Sequence, residues 1–182
     1  MATIIDLDVV RRRRAGTTFT FDLASPWTYL ATAAVAEDFP GARWIPALAG
    51  RAIDRGRAER AAAELRVRFA WPERGVPDGT AAARAAAYAD EQGRGRQFAL
   101  AAARLAWGWG EDLDDHALIA QAAGIAELPL DATIEATFDT RRDDVLAAAA
   151  RDGAPALSTN GILLDGEALV AGRAGPPLRR AR

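Results

Sequence analysis

The residues best placed to do chemistry gather at Ser25-Pro26-Trp27-Thr28. Ser25 stands where a helix N-cap belongs and Pro26 at the first helical position, so the pair marks a helix start. Such an end carries unpaired N–H groups and a partial positive charge, and it favours an anion. On spacing alone, the Ser25 hydroxyl serves as the cap. No cysteine occurs anywhere in the 182 residues, so the chain cannot carry out thiol–disulfide exchange with its own side chains. His116 is the only histidine, which excludes a His-based metal cluster and leaves no metal site to propose. It sits among Asp112, Asp114 and Asp115, acids that suit the start of a helix. Pro155, after Gly153-Ala154, reads at face value as a loop proline before a strand. Trp27, Trp71 and Trp107, with Trp109, could line a pocket for an apolar or aromatic ligand, although tryptophan is more often core. Gly93-x-Gly95 lacks the preceding strand that a nucleotide loop needs.

The elements that must position these residues follow from pattern. Thr17–Leu23 is β-branched, aromatic and free of breakers, as a buried strand should be. A helix is expected from Trp27 to about Asp38, ended by Pro40-Gly41, and a second strand over Ala42–Leu48 with Pro46 marking an edge or an end. Strand, helix, strand implies a parallel pair with a right-handed crossover. From Asp54 to about Ala126 the pattern is helical, near Arg57–Arg68, Thr80–Glu91, Arg96–Trp107 and Asp114–Ala123, with Gly- and Pro-rich turns between. Another helix, broken near Thr140, spans Leu130–Arg151. Asn160-Gly161 between Ala156–Thr159 and Ile162–Leu164 is a two-residue hairpin signal. Beyond Gly166 the chain turns rich in Gly, Pro and Arg and is expected to fray. At the other end, residues 4–10 could form a short strand or arm, and Arg11–Arg14 a solvated linker.

At 19.3 kDa the chain suits one domain, or one domain with an insertion. Half of it is hydrophobic, much of that alanine, and the net charge of −2 gives no electrostatic footprint for nucleic acid or an anionic membrane. No apolar stretch reaches membrane-spanning length and no export signal is expected, so a cytoplasmic location is the expectation.

Three stretches in this order carry a family likeness: Phe19-Thr20-Phe21-Asp22-Leu23-Ala24-Ser25-Pro26-Trp27-Thr28-Tyr29-Leu30-Ala31; then Phe69-Ala70-Trp71-Pro72-Glu73 with Thr80, Arg84, Phe98-Ala99 and Gly110-Glu111-Asp112; then Gly153-Ala154-Pro155 with Asn160-Gly161 and Gly166-Glu167. The chain resembles the DsbA-like branch of the thioredoxin superfamily, which includes 2-hydroxychromene-2-carboxylate isomerases and kappa-class glutathione transferases. The resemblance implies an α/β, thioredoxin-like fold over residues 17–182. It also implies an all-helical subdomain inserted at about 50–126 and an N-terminal extension over 1–16.

It further implies that Ser25-Pro26-Trp27-Thr28 fills the place of the reactive cysteine pair. In glutathione-dependent relatives a serine here holds the thiol of bound glutathione, donating a hydrogen bond that favours the thiolate. Pro155 would then be cis and expose the Ala154 backbone opposite Ser25 to a peptide-like ligand. Relatives place an acid just after the hairpin to hold the γ-glutamyl end. Here Ala168 stands in that position with Glu167 beside it, and the segment 49–57 lacks the lysine and asparagine of isomerase-like members. The final helix of the fold is read as missing or replaced by Gly172–Arg182, so that residues 3–10 or a partner chain, as in a homodimer, would cover a sheet face. Two functions therefore stand. One is a cysteine-free binding protein for a small molecule, peptide-like ligand or partner, without dithiol redox activity. The alternative is a glutathione-dependent isomerase or transferase acting on a small electrophile, with glutathione as cosubstrate and Ser25 positioning its thiolate.

Overall fold

The computed structural model describes residues 16–50, 52–159 and 162–174. The expectations for the N-terminal extension up to residue 15, for the turn pair Asn160-Gly161 and for residues 175–182 lie outside the described residues. A four-stranded sheet has the order β2-β1-β3-β4, with β1 Thr18–Phe21, β2 Arg43–Pro46, β3 Ala156–Thr159 and β4 Ile162–Asp165. β1 pairs in parallel with β2 and antiparallel with β3, and β3 with β4 forms the hairpin, Thr159 opposite Ile162. Pro46 closes β2 at the sheet edge, where a missing N–H costs no ladder bond. Phe19 and Phe21 point from β1 into the core and meet Trp44 of β2, with the Phe19 and Trp44 rings edge to face at 4.8 Å. Burying each phenylalanine contributes about 1.5–3 kcal/mol.

Helix α1, Pro26–Asp38, makes the crossover between β1 and β2. Between β2 and β3 come α2 Arg55–Leu65, α3 Thr80–Glu91, α4 Gly95–Ala103, α5 His116–Ile125, α6 Leu130–Ala136 and α7 Asp143–Ala149. A wider π turn, Arg104–Gly108, continues α4 and carries Trp107; a 3₁₀ turn, Thr140–Arg142, separates α6 from α7. The alanine-rich composition explains how α3 and α4 pack. Ala82, Ala85, Ala86 and Ala89 of α3 and Phe98, Ala99 and Ala102 of α4 are buried in one core where the two helices pack together, and small side chains let their axes approach.

One expectation is overturned. The described residues from Gly166 onward form a helix, so the final helix is not missing: α8, Gly166–Ala174, packs on α1 and α2. Leu169 and Val170 are buried in the same core as Leu30 and Val35 of α1, so α8 supplies the cover that had been assigned to residues 3–10 or to a second chain. Among the described residues, no helix is long and apolar enough to cross a membrane.

Candidate functional site

The turn from β1 into α1 is set by Asp22 and Thr28. The Asp22 carboxylate accepts the Ala24 N–H at 2.9 Å, and the Ser25 N–H donates to the Asp22 carbonyl at 3.0 Å. Thr28 is fully buried; its hydroxyl donates to the Asp22 carbonyl at 2.5 Å and accepts the Asp22 N–H at 3.2 Å. Thr28 is thus spent on the turn. Ser25 is not. It occupies the N-cap position with extended backbone, yet its side chain makes no capping bond, and it takes no other side-chain partner among the described residues. The reading of Ser25 as a side-chain cap is therefore corrected. Pro26 already removes one N–H of the first turn, and the Thr28 N–H is taken by the Ser25 carbonyl at 3.0 Å.

Facing α1, the Ala154–Pro155 peptide is cis. The Pro155 carbonyl accepts the Gly166 N–H at 2.8 Å, which ties the hairpin end to the start of α8. Ala154 lies outside the register pairs of β3, which begin at Ala156. Ser25, Trp27, Ala154 and Pro155 wall a cavity of about 120 Å³. Ile53 and Ala52 close it from the β2–α2 loop, and Asp165, Gly166 and Glu167 from the hairpin end. Glu167 is ion-paired with Arg57 at the start of α2. Asp165 caps α8, accepting the Ala168 N–H at 2.8 Å.

The structure brings together Ser25, Trp27, Ala154, Pro155 and Glu167, and leaves out the other two tryptophans. Trp107 is fully buried in the core, where its indole N–H donates to the Leu23 carbonyl at 2.8 Å and braces the β1–α1 turn from behind. Trp71 packs edge to face against Trp107 at 5.5 Å and donates to Glu59 at 2.7 Å. Trp107 is corrected from pocket lining to a packing residue, its surface consumed by aromatic neighbours and a hydrogen bond, whereas Trp71 stays partly exposed and outside the cavity at Ser25.

Two residues escaped the sequence reading. Arg57 carried no motif signal. Asp22 is a lone acid at the end of an apolar strand, itself a clue; it is 3% exposed, and its second oxygen accepts the Ala49 N–H at 2.9 Å. Burial raises its pKa above the ordinary carboxylate value, Asp78 adds to the rise, and the N–H donors of Ala49, Ala24 and Gly50 oppose it. Among the described residues, no group of three or more His, Asp or Glu side chains could hold a metal ion.

No family model and no curated protein matches the chain. A solved structure of 2-hydroxychromene-2-carboxylate isomerase is similar, with a TM-score of 0.67 at 18% sequence identity over 83% of this chain and 88% of that one. The chain therefore has the α/β, DsbA-like thioredoxin fold of that isomerase, without a cysteine in it.

Proposed function

We propose that this protein binds a small peptide-like ligand between Ser25 and Ala154–Pro155, and that any thiol chemistry at the site comes from the ligand. The observation that carries this reading is the Ser25 hydroxyl. It sits at a helix N-terminus, lines a cavity opposite a cis proline, and has no partner in the protein among the described residues. The cavity of about 120 Å³ is smaller than the roughly 150 Å³ that holds a benzene ring, so it encloses one side chain's worth of ligand. The remainder would lie along the Ala154 backbone and the rim, where Arg57 and Glu167 offer one charge of each sign.

The same observation favours a second reading, a glutathione-dependent isomerase or transferase. A thiolate at Ser25 would accept the serine O–H and feel the positive end of α1. It would add to an electrophilic carbon of a conjugated double bond, forming a C–S bond as the π pair breaks and is delocalised into the substrate. An isomerase later re-forms the double bond and expels the thiolate; a transferase keeps the C–S bond, and the adduct takes a proton from water. Calorimetric titration with glutathione tests both readings. Ligand at a hundredfold its Kd adds about 2.7 kcal/mol to the folded state, so the melting temperature must rise as well. Turnover of an electrophile that needs glutathione and is lost in Ser25→Ala selects the enzyme. Binding without turnover selects the binding protein. No heat and no change in melting temperature up to millimolar glutathione rejects glutathione as the ligand.

A further inference from the structure

We propose that a second cavity, on the other side of Ser25, binds a small apolar molecule carrying a positively charged amine. This goes beyond the reading above and does not depend on it. The cavity measures about 200 Å³ and meets the first at Ser25 and Ile53. Its apolar walls are Ala24, Ile53, Val76 and Pro77, and its polar groups are Asp22, Asp78 and Ser25. No basic side chain among the described residues lines it.

Three observations converge on the ligand class. First, Ser25, a residue only 8% exposed whose hydroxyl makes no hydrogen bond among the described residues, borders this cavity too and is left to a ligand. Second, Asp78 is near enough to disfavour ionisation of Asp22; Arg84 attracts Asp78 from outside the cavity lining, and Asp22 forms no ion pair among the described residues. A cation between them offsets that repulsion and stabilises both carboxylates, whereas an anion adds to it. Third, the walls are fixed. The Asp78 and Gly79 N–H groups donate to the Asp114 carboxylate at 2.9 and 2.8 Å, and a Cβ on Gly79 would meet the Ala24 Cβ at 2.8 Å. The volume exceeds the roughly 150 Å³ that holds benzene, so one aromatic ring with an aminomethyl arm fits.

The test uses benzylamine, benzyl alcohol and benzoate, titrated into the full chain near neutral pH and followed by NMR shifts of the residues lining the cavity. Benzylamine is expected to bind at least tenfold more tightly than benzyl alcohol, with benzoate weakest. Asp78→Asn should cut the preference for benzylamine at least fivefold. Val76→Arg, which puts a cation beside the cavity from a half-exposed position, should do the same. Equal binding of the three probes, no benzylamine shifts at ten millimolar, or an unchanged preference in both variants overturns the proposal. Glutathione is titrated separately. Benzylamine binding without glutathione binding rejects glutathione as the ligand of the first cavity and leaves this proposal standing, and the reverse result sinks this one alone.

Discussion

Gly166 approaches Pro155 so closely that a Cβ on it would lie 2.5 Å from the proline Cγ and 3.1 Å from the Trp27 Cβ. The first residue of α8, the cis proline and the first turn of α1 therefore meet with no room for a methyl group. Gly166→Ala must push the hairpin end away from α1 and strain the Gly166 N–H bond to the Pro155 carbonyl. Overpacking of this kind costs about 1–3 kcal/mol. Urea unfolding should show that loss, and the cavity at Ser25 should lose its ligand. A variant as stable as its parent, binding equally well, would mean that the contact is soft.

Ser25 and Thr28 should respond in opposite ways to truncation. Replacing an N-cap serine by alanine ordinarily costs about 1 kcal/mol, but Ser25 makes no side-chain capping bond. Ser25→Ala should therefore change stability by less than about 0.5 kcal/mol while removing ligand binding. Thr28→Ala orphans the buried Asp22 N–H and should cost about 1–3 kcal/mol. Equal losses in the two variants would return Ser25 to a capping role.

The contrast between these two residues shows what the sequence could and could not reveal. Ser25-Pro26 marks the start of α1 by local chemistry, and the same holds for Pro46 at the sheet edge. Each signal acts within a few residues. Whether the serine hydroxyl caps or stays free depends on the Asp22–Thr28 pairing and the cis peptide across the cavity, which no local pattern encodes. Helix α8 was missed because Gly166 and Gly172 lower its propensity, while its stability comes from Leu169 and Val170 packing on α1. Trp107 gave the same tryptophan signal as Trp27, and only tertiary packing separates the core residue from the cavity wall. Arg57 joined the site through an ion pair between segments distant in sequence.

Asp114 links the helical segment to the site. Its carboxylate holds the Asp78 and Gly79 N–H groups just ahead of α3, and Gly79 in turn packs on Ala24. Asp114→Ala removes both acceptors and should cost about 1–3 kcal/mol. Because Asp78 is then released, amine binding in the second cavity should weaken while the Ser25–Pro155 cavity keeps its ligand. Denaturant unfolding and the two titrations on one variant check this. Parallel loss of both ligands would show that the variant loosens the whole β1–α1 turn.

Asp22 and Asp139 predict opposite slopes of stability against pH. The Asp22 pKa is raised, chiefly by burial, so on the alkaline side of its ordinary value of 3.8 the folded state holds more protons than the unfolded one. Stability therefore falls as pH rises from there through the folded pKa. Asp139 is held down to about 2, first by its hydrogen bond from Arg141, with Arg142 adding to the effect. Between that value and 3.8 the unfolded state holds more protons, so its stabilisation is lost as pH falls through the folded pKa. Asp22→Asn should flatten the profile above 3.8 and leave the acid limb intact, and Asp139→Asn should do the reverse. Urea midpoints measured across the acid range for the parent and both variants separate the two. An Asp22→Asn profile parallel to the parent above 3.8 would show that Asp22 ionises there without hindrance, and the electrostatic support for an amine in the second cavity would go with it.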